Sequence, residues 1–181
     1  MSRDNGKRNG NHREKLLILL LLLITAVAVT VTVWALFFRE PEVILAPDYA
    51  PQETEEYAQT IPGDDGDKME SEEGGGSVSL TYSNQVAIDL SREEASLLFA
   101  NPGRSNQNMV LQVVIQEEVL VQSGTILPGH QVTTLRLLES ARDKIVPGGY
   151  DGYFVVFYYD PDTGEKAIVN TEIPVSITVK E

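Results

Sequence analysis

The sequence predicts an all-β ectodomain, an antiparallel β-sandwich of about seven strands, behind one transmembrane helix and a disordered acidic stalk. Three observations predict it. Residues Leu16 to Phe38 form 23 consecutive positions without a charge. From Val78 onward the apolar residues recur at every second position, the period of a strand with one buried face. Between those runs, Pro-Gly pairs punctuate the chain at the short intervals expected of a sandwich.

The apolar run comes first. At about 1.5 Å per residue, a helix of that length reaches roughly 34 Å, enough for a hydrocarbon core of about 30 Å. Its only polar members are Thr25, Thr30 and Thr32. Residues 1–15 form a basic tail with Arg3, Lys7, Arg8, Arg13 and Lys15 against Asp4 and Glu14, whereas Arg39 alone is basic just beyond the run. Positive charge stays on the cytoplasmic side, so residues 16–38 are expected to span the bilayer with the N-terminus inside. Trp34, Phe37 and Phe38 suit the outer interface. The rival reading is a signal peptide cleaved near Ala28, since Ala26-Val27-Ala28 is a small-x-small site. Against it, the uncharged run continues ten positions past Ala28, beyond the usual h-region.

Residues 39–77 read as a linker. Glu40 to Ser77 holds twelve acidic residues and one lysine, with Pro41, Pro47, Pro51 and Pro62 and the run Gly74-Gly75-Gly76. Few large apolar residues follow Leu45, so the stretch is expected to stay disordered and to make no core contact. Asp64-Asp65-Gly66-Asp67 lacks the spacing of a calcium-binding EF-hand loop. The acidity of this stretch and of the domain at 78–181 argues against nucleic acid and anionic headgroups as partners.

Strands are expected at about Val78–Ser83 continuing through Val86–Leu90, then Ser96–Ala100, Met109–Gln116, Val119–Ser123, Val132–Leu138, Gly152–Tyr159 and Lys166–Val179. Pro174 has no N–H to donate and belongs at an edge or bulge. Residues Glu139–Lys144 would also suit a short helix. Pro102-Gly103, Pro128-Gly129 and Pro147-Gly148 fit the centre of type II turns, where Pro fixes φ near −65° and Gly accepts positive φ. Asp160-Pro161-Asp162-Thr163-Gly164 reads as a hairpin loop, with Gly164 at the left-handed position. Its opening also has the look of a calcium loop, but a third carboxylate at the right spacing is missing.

Val146-Pro147-Gly148-Gly149-Tyr150, ahead of an aromatic strand, resembles the tyrosine corner of immunoglobulin-like sandwiches. The resemblance implies that Tyr150 bonds back to nearby backbone. The disulfide cysteines and the third-strand tryptophan of antibody domains are missing. The chain resembles more closely the cysteine-free, immunoglobulin-like ectodomains of single-pass envelope proteins of Gram-positive bacteria, a likeness that carries no known activity. The absence of cysteine and of any Asn-x-Ser/Thr acceptor agrees with it.

Chemistry finds little footing. Of the two histidines, His12 lies in the basic tail and His130 follows a Pro-Gly turn as an ordinary loop residue. No G-x-S-x-G elbow and no phosphate-binding G-x-x-x-x-G-K-[ST] loop occurs. One external histidine does not build a zinc site. No cofactor, metal or catalytic residue is expected. The aromatic strand is the best lead: Tyr153, Val155, Phe157 and Tyr159 fall on one face, Phe154, Val156 and Tyr158 on the other. Such a strand is ordinarily central and largely covered. If a face is open, Tyr153, Phe157, Tyr158 or Tyr159 would form a platform for an envelope protein or a cell-wall glycan. The function expected is therefore a non-catalytic, membrane-anchored interaction or structural module at the cell membrane, its C-terminal domain extracellular. The alternatives are an exported carbohydrate-binding module, with the signal peptide cleaved near Ala28, and, ranked below it, an envelope enzyme.

Overall fold

The structure, a computed structural model, describes residues 7–37, 45–51, 53–64, 66–72 and 75–181. Phe38 and Arg39, at the expected outer end of the span, lie outside these. The helix and the β domain are separate units.

Helix α1 runs Lys7–Phe37. Between Arg13 and Trp34 it is long and apolar enough to cross a membrane. The three threonines of the apolar run are satisfied within the helix itself. Thr25, Thr30 and Thr32 each donate their hydroxyl to the carbonyl four residues back, at 2.8 Å. An apolar solvent offers no other partner, so such back-bonding lets threonine sit in a span.

The domain is β-sheet throughout, with strands β1 (Gln59–Thr60), β2 (Thr81–Tyr82), β3 (Gln85–Asp89), β4 (Glu94–Asn101), β5 (Asn108–Ile115), β6 (Glu118–Gln122), β7 (His130–Arg136), β8 (Gly148–Tyr159) and β9 (Lys166–Lys180). A 3-10 helix at Glu139–Lys144 fills the segment that also suited a helix. The strand order is β1-β7-β4-β3-β9-β8-β5-β6, with β2 pairing β4. Thus β3, β4 and β7 form one layer and β5, β8 and β9 the other. The layers meet face to face: the Phe99 ring of β4 stands edge-on to Phe154 of β8, centroids 6.1 Å apart.

Two points differ from the expected all-antiparallel sandwich of seven strands. Strands β1 and β2 are additional two-residue pieces. In addition β3 pairs parallel with β9, from Gln85↔Ser176 to Asp89↔Lys180, while also pairing antiparallel with β4. That shared strand joins the two layers into one curled, mixed sheet.

The core follows the period-two pattern. Met109, Leu111, Val113 and Ile115 of β5, Phe154 and Val156 of β8, Ile173, Val175, Ile177 and Val179 of β9, and Val86 and Ile88 of β3 belong to one buried cluster. Gly152 takes its place in this layer because a Cβ there would lie 2.5 Å from Ile177 Cδ1 and 2.6 Å from the Val114 carbonyl oxygen.

Of the expected type II turns, Gly129 has the positive φ required, at 81°, and Gly164 has 73° in its hairpin. Gly103 and Gly148 do not adopt positive φ. Gly148 instead begins β8, paired with Val179 beside the Tyr150 ring. Gly103, after Pro102, donates its N–H to Asp64 Oδ2.

The largest departure is the linker. From Leu45 the described residues form an arm laid on the domain. The Ala46 N–H donates to Gln122 Oε1 (3.0 Å) and the Lys166 N–H to the Asp48 carbonyl (2.9 Å). The Ala50 N–H reaches the Gly164 carbonyl at 2.7 Å. Further on, Thr125 exchanges backbone bonds with Glu53 and Glu55, and β1 pairs with the outer edge of β7. Residues 66–72 follow the turn after β4: the Met69 N–H donates to the Arg104 carbonyl (2.8 Å) and Lys68 Nζ to that of Ser105 (2.7 Å). Hydrogen bonds from backbone and polar side chains hold this arm, so its poverty in apolar side chains gave no sign of it.

Candidate interaction face

Strand β8 is central in its layer, between β5 and β9. Its alternation sorts the aromatic residues onto two sides. Phe154, Val156 and Tyr158 point into the core and are buried. The Tyr158 hydroxyl shares a 2.6 Å hydrogen bond with Thr171 Oγ1. Burial pushes the Tyr158 phenol up from its ordinary value, and the Thr171 bond partly offsets this. Tyr158 is therefore unavailable as a binding residue.

The other side is the outer face of the layer, and the arm divides it. At one end Tyr159 is fully buried, and its hydroxyl donates to the Pro47 carbonyl at 2.9 Å. Burial, with the nearby Asp48 charge adding to it, pushes the Tyr159 phenol up to about 12. Tyr159 is thus also removed from the expected platform, because the segment expected to be a free stalk covers it. Gln112 and Gln122 join side chains at 2.7 Å beneath the same arm residues. Lys166 Nζ donates to the Ala46 carbonyl at 2.8 Å and stands 5.8 Å from the Phe157 ring centre, a cation–π distance.

The remainder of this face is open. Tyr153 is half exposed, while Val155 and Phe157 are partly exposed beside it. Cross-strand pairing sets Tyr153 between Val114 of β5 and Pro174 of β9, and Val155 between Gln112 and Glu172. Of the four aromatic residues expected to form a platform, only Tyr153 and Phe157 remain on it. Val114, Pro174 and the carboxylate of Glu172 complete it. The alternation of β8 identifies the face, but its neighbours depend on registers that span from seventeen to more than forty residues of sequence.

Tyr150 sits at the start of β8 and donates its hydroxyl to the Val146 carbonyl at 2.9 Å, the bond back to upstream backbone that the corner requires. Pro147 lies inside that loop.

The other lead residues are occupied with structure. Asp160 Oδ1 accepts from the backbone N–H groups of Asp162 and Thr163, at 2.9 and 2.8 Å, and from the Thr163 hydroxyl. Those bonds hold its carboxyl below the ordinary carboxylate range and commit it to the hairpin turn. His130 opens β7 after Pro128 and Gly129 rather than lying in a free loop. It lines a cleft of about 130 Å³ with Thr54, Glu55, Ala58, Thr125 and Leu127, so the arm supplies half the walls. Glu55 is already used there, accepting from the N–H groups of Gly124 (2.6 Å) and Tyr57 (3.0 Å). Among the described residues no three His, Asp or Glu side chains converge as metal ligands.

No protein-family model matches the chain, and no curated protein does. Among solved structures, AggA, the major subunit of aggregative adherence fimbriae type I from Escherichia coli, aligns over 59% of this chain and 96% of its own at 9% identity. The TM-score of that superposition is 0.28, so the fold and the face described above rest on this chain's own residues.

Proposed function

We propose that this chain is a non-catalytic protein of a bacterial cell envelope, of the Gram-positive type. In this reading α1 anchors it in the membrane, and it presents its β domain outside as an interaction module. The basic excess before Leu16 supports an inside N-terminus. The observation that carries the interaction role is the outer face of β8. Its strand is central, yet Tyr153, Val155 and Phe157 keep apolar surface in water next to Pro174 and Glu172. An aromatic ring flanked by aliphatic carbon and a carboxylate suits an envelope protein surface or the ring of a wall sugar.

Full-length protein in vesicles, incubated with purified wall glycan or with solubilised envelope proteins, tests the face. Binding is expected to fall at least tenfold with Tyr153→Ser plus Val155→Asp, equivalent to about 1.4 kcal/mol. Binding that survives both substitutions would place the interaction elsewhere. Capture by glycan alone would favour the carbohydrate-binding reading.

A further inference from the structure

Taking the outer face of β8 as the binding surface, we propose that residues 45–50 are an autoinhibitory strap across it, and that a wall glycan engages the whole face only once the strap lifts.

The strap interrupts a surface that the strands make continuous. Tyr153, Val155, Phe157 and Tyr159 alternate onto one side of β8. Gln112, opposite Val155, extends that side onto β5, and Gln122, opposite Gln112, extends it onto β6. Tyr153 at one end is open to water, whereas Tyr159 at the other is sealed beneath Pro47.

The strap grips this surface through its main chain. Ala46 binds Gln122 through its N–H and Lys166 through its carbonyl, and the Pro47 carbonyl takes the Tyr159 hydroxyl. These three side chains come from β6, β9 and β8, and each loses its strap partner when the strap lifts. The groups so released are a carboxamide, an ammonium and a phenol near the Phe157 ring. Donors and acceptors set around aromatic rings suit the hydroxyl and acetamido groups of a stacked sugar. An apolar protein surface would leave them unpaired, which is costly. The chemistry under the strap therefore selects a glycan.

The hold is light. Leu45 is 48% exposed, Tyr49 is 60% exposed and the Asp48 side chain is 93% exposed, so the strap adds little apolar burial. Its hydrogen bonds exchange with water at small net cost. Its ion pair, Asp48 to Lys166 at 3.5 Å, is weakened by the solvent around Asp48. Ala46 sits at φ 45°, in the left-handed region that strains a residue with a Cβ, and lifting relieves that strain. Beyond it the arm is anchored separately. The Thr125 hydroxyl donates to the Pro51 carbonyl (2.8 Å), and the Thr125 backbone bonds Glu53 and Glu55. The strap can thus swing about Pro51 while the sheet and the rest of the arm stay in place. A ligand of the whole face binds the open form alone, so its apparent dissociation constant is the intrinsic one divided by the open fraction.

The test uses the full chain in phospholipid vesicles with purified wall glycan; the native sequence contributes no cysteine. Tyr49 and Glu165 are antiparallel partners, flanked by the Ala50–Gly164 and Asp48–Lys166 backbone bonds. A pair flanked in this way brings its Cα atoms to about 4.5 Å, within reach of a disulfide. Tyr49→Cys plus Glu165→Cys, once oxidised, therefore locks the strap down, and a reductant frees it. Ala50→Pro removes the N–H given to Gly164 and loosens the strap. Glycan binding is expected to be at least about tenfold weaker in the oxidised lock than in the same protein reduced, and at least about threefold stronger in Ala50→Pro than in the parent. Nitration of Tyr159, read by mass spectrometry with no ligand present, should follow the same order. Equal nitration of Tyr159 in the locked and reduced protein overturns the lifting of the strap. Equal glycan binding by the two overturns autoinhibition. Failure of the face itself looks different: nitration follows the lock, but Tyr153→Ser plus Val155→Asp leaves glycan binding unchanged, which overturns the strap as an inhibitor of that site.

Discussion

Two tyrosines on β8 show how differently single residues can be read from sequence. Tyr150 was legible through the resemblance of Val146–Tyr150 to a tyrosine corner, and its bond to the Val146 carbonyl is present although Gly148 belongs to β8 and not to a turn. Tyr150→Phe is expected to cost about 0.5–1.5 kcal/mol, the worth of one such hydrogen bond; urea titration measures it. Tyr159 was legible as to face but not as to cover, because alternation gives direction and says nothing of a chain arriving from residue 47. Its consequence appears in alkali. The folded phenol titrates near 12, against about 10 for an exposed tyrosine. Stability from this group is therefore fully present below pH 10 and is lost as pH rises through 12. Tyr159→Phe should flatten the decline of the urea midpoint between pH 9.5 and 12. Tyr158, shifted the same way, should leave a residual slope. An unchanged slope would mean that Tyr159 is not covered in solution.

Elements divide along the same line. Strands with a buried face were legible, and so was the ambiguous Glu139–Lys144 segment, because both depend on local periodicity. The tight turn joining β5 and β6 was not, since Gln116 and Glu117 both take positive φ, at 49° and 69°, with neither glycine nor asparagine present. Two left-handed residues in a two-residue hairpin are the hallmark of a type I′ turn, which favours Asn-Gly. Replacing Gln116-Glu117 by Asn-Gly should therefore stabilise the domain by about 1 kcal/mol, since bulkier side chains cost about 1–2 kcal/mol each in that region. Calorimetry should register a higher Tm, and a fall would rule out the turn type. The arm is held differently, by a close approach at Gly124. A Cβ there would lie 3.1 Å from the Glu53 carbonyl oxygen and from the Glu55 Cα and N. Gly124→Val should displace the arm, lower the Tm and open residues 45–60 to protease. Undiminished protease resistance would show that the arm does not depend on that contact.

For the whole molecule, charge and hydropathy predict direction, and long-range pairing decides shape. The parallel β3–β9 pairing joins residues some ninety apart, and nothing in either segment announces it. Orientation is testable in cells stripped of wall. Added protease should reach residues 78–181, whereas full protection would reverse the topology and a mature N-terminus at Val29 would mark a cleaved signal. The arm has a further consequence if the protein is pulled. It lies in series, along the chain, between α1 and the sandwich, so tension entering from the helix loads its bonds before those of β3 to β9. Bonds such as Ala50 to Gly164 and Glu55 to Thr125 can then yield in sequence, like a seam opening. Freeing residues 45–77 would pay out roughly 110 Å of chain at about 3.3–3.6 Å per residue, while both sheet layers stay intact. The acidic segment would thus act as an extensible leash, folded away at rest and lengthening under load.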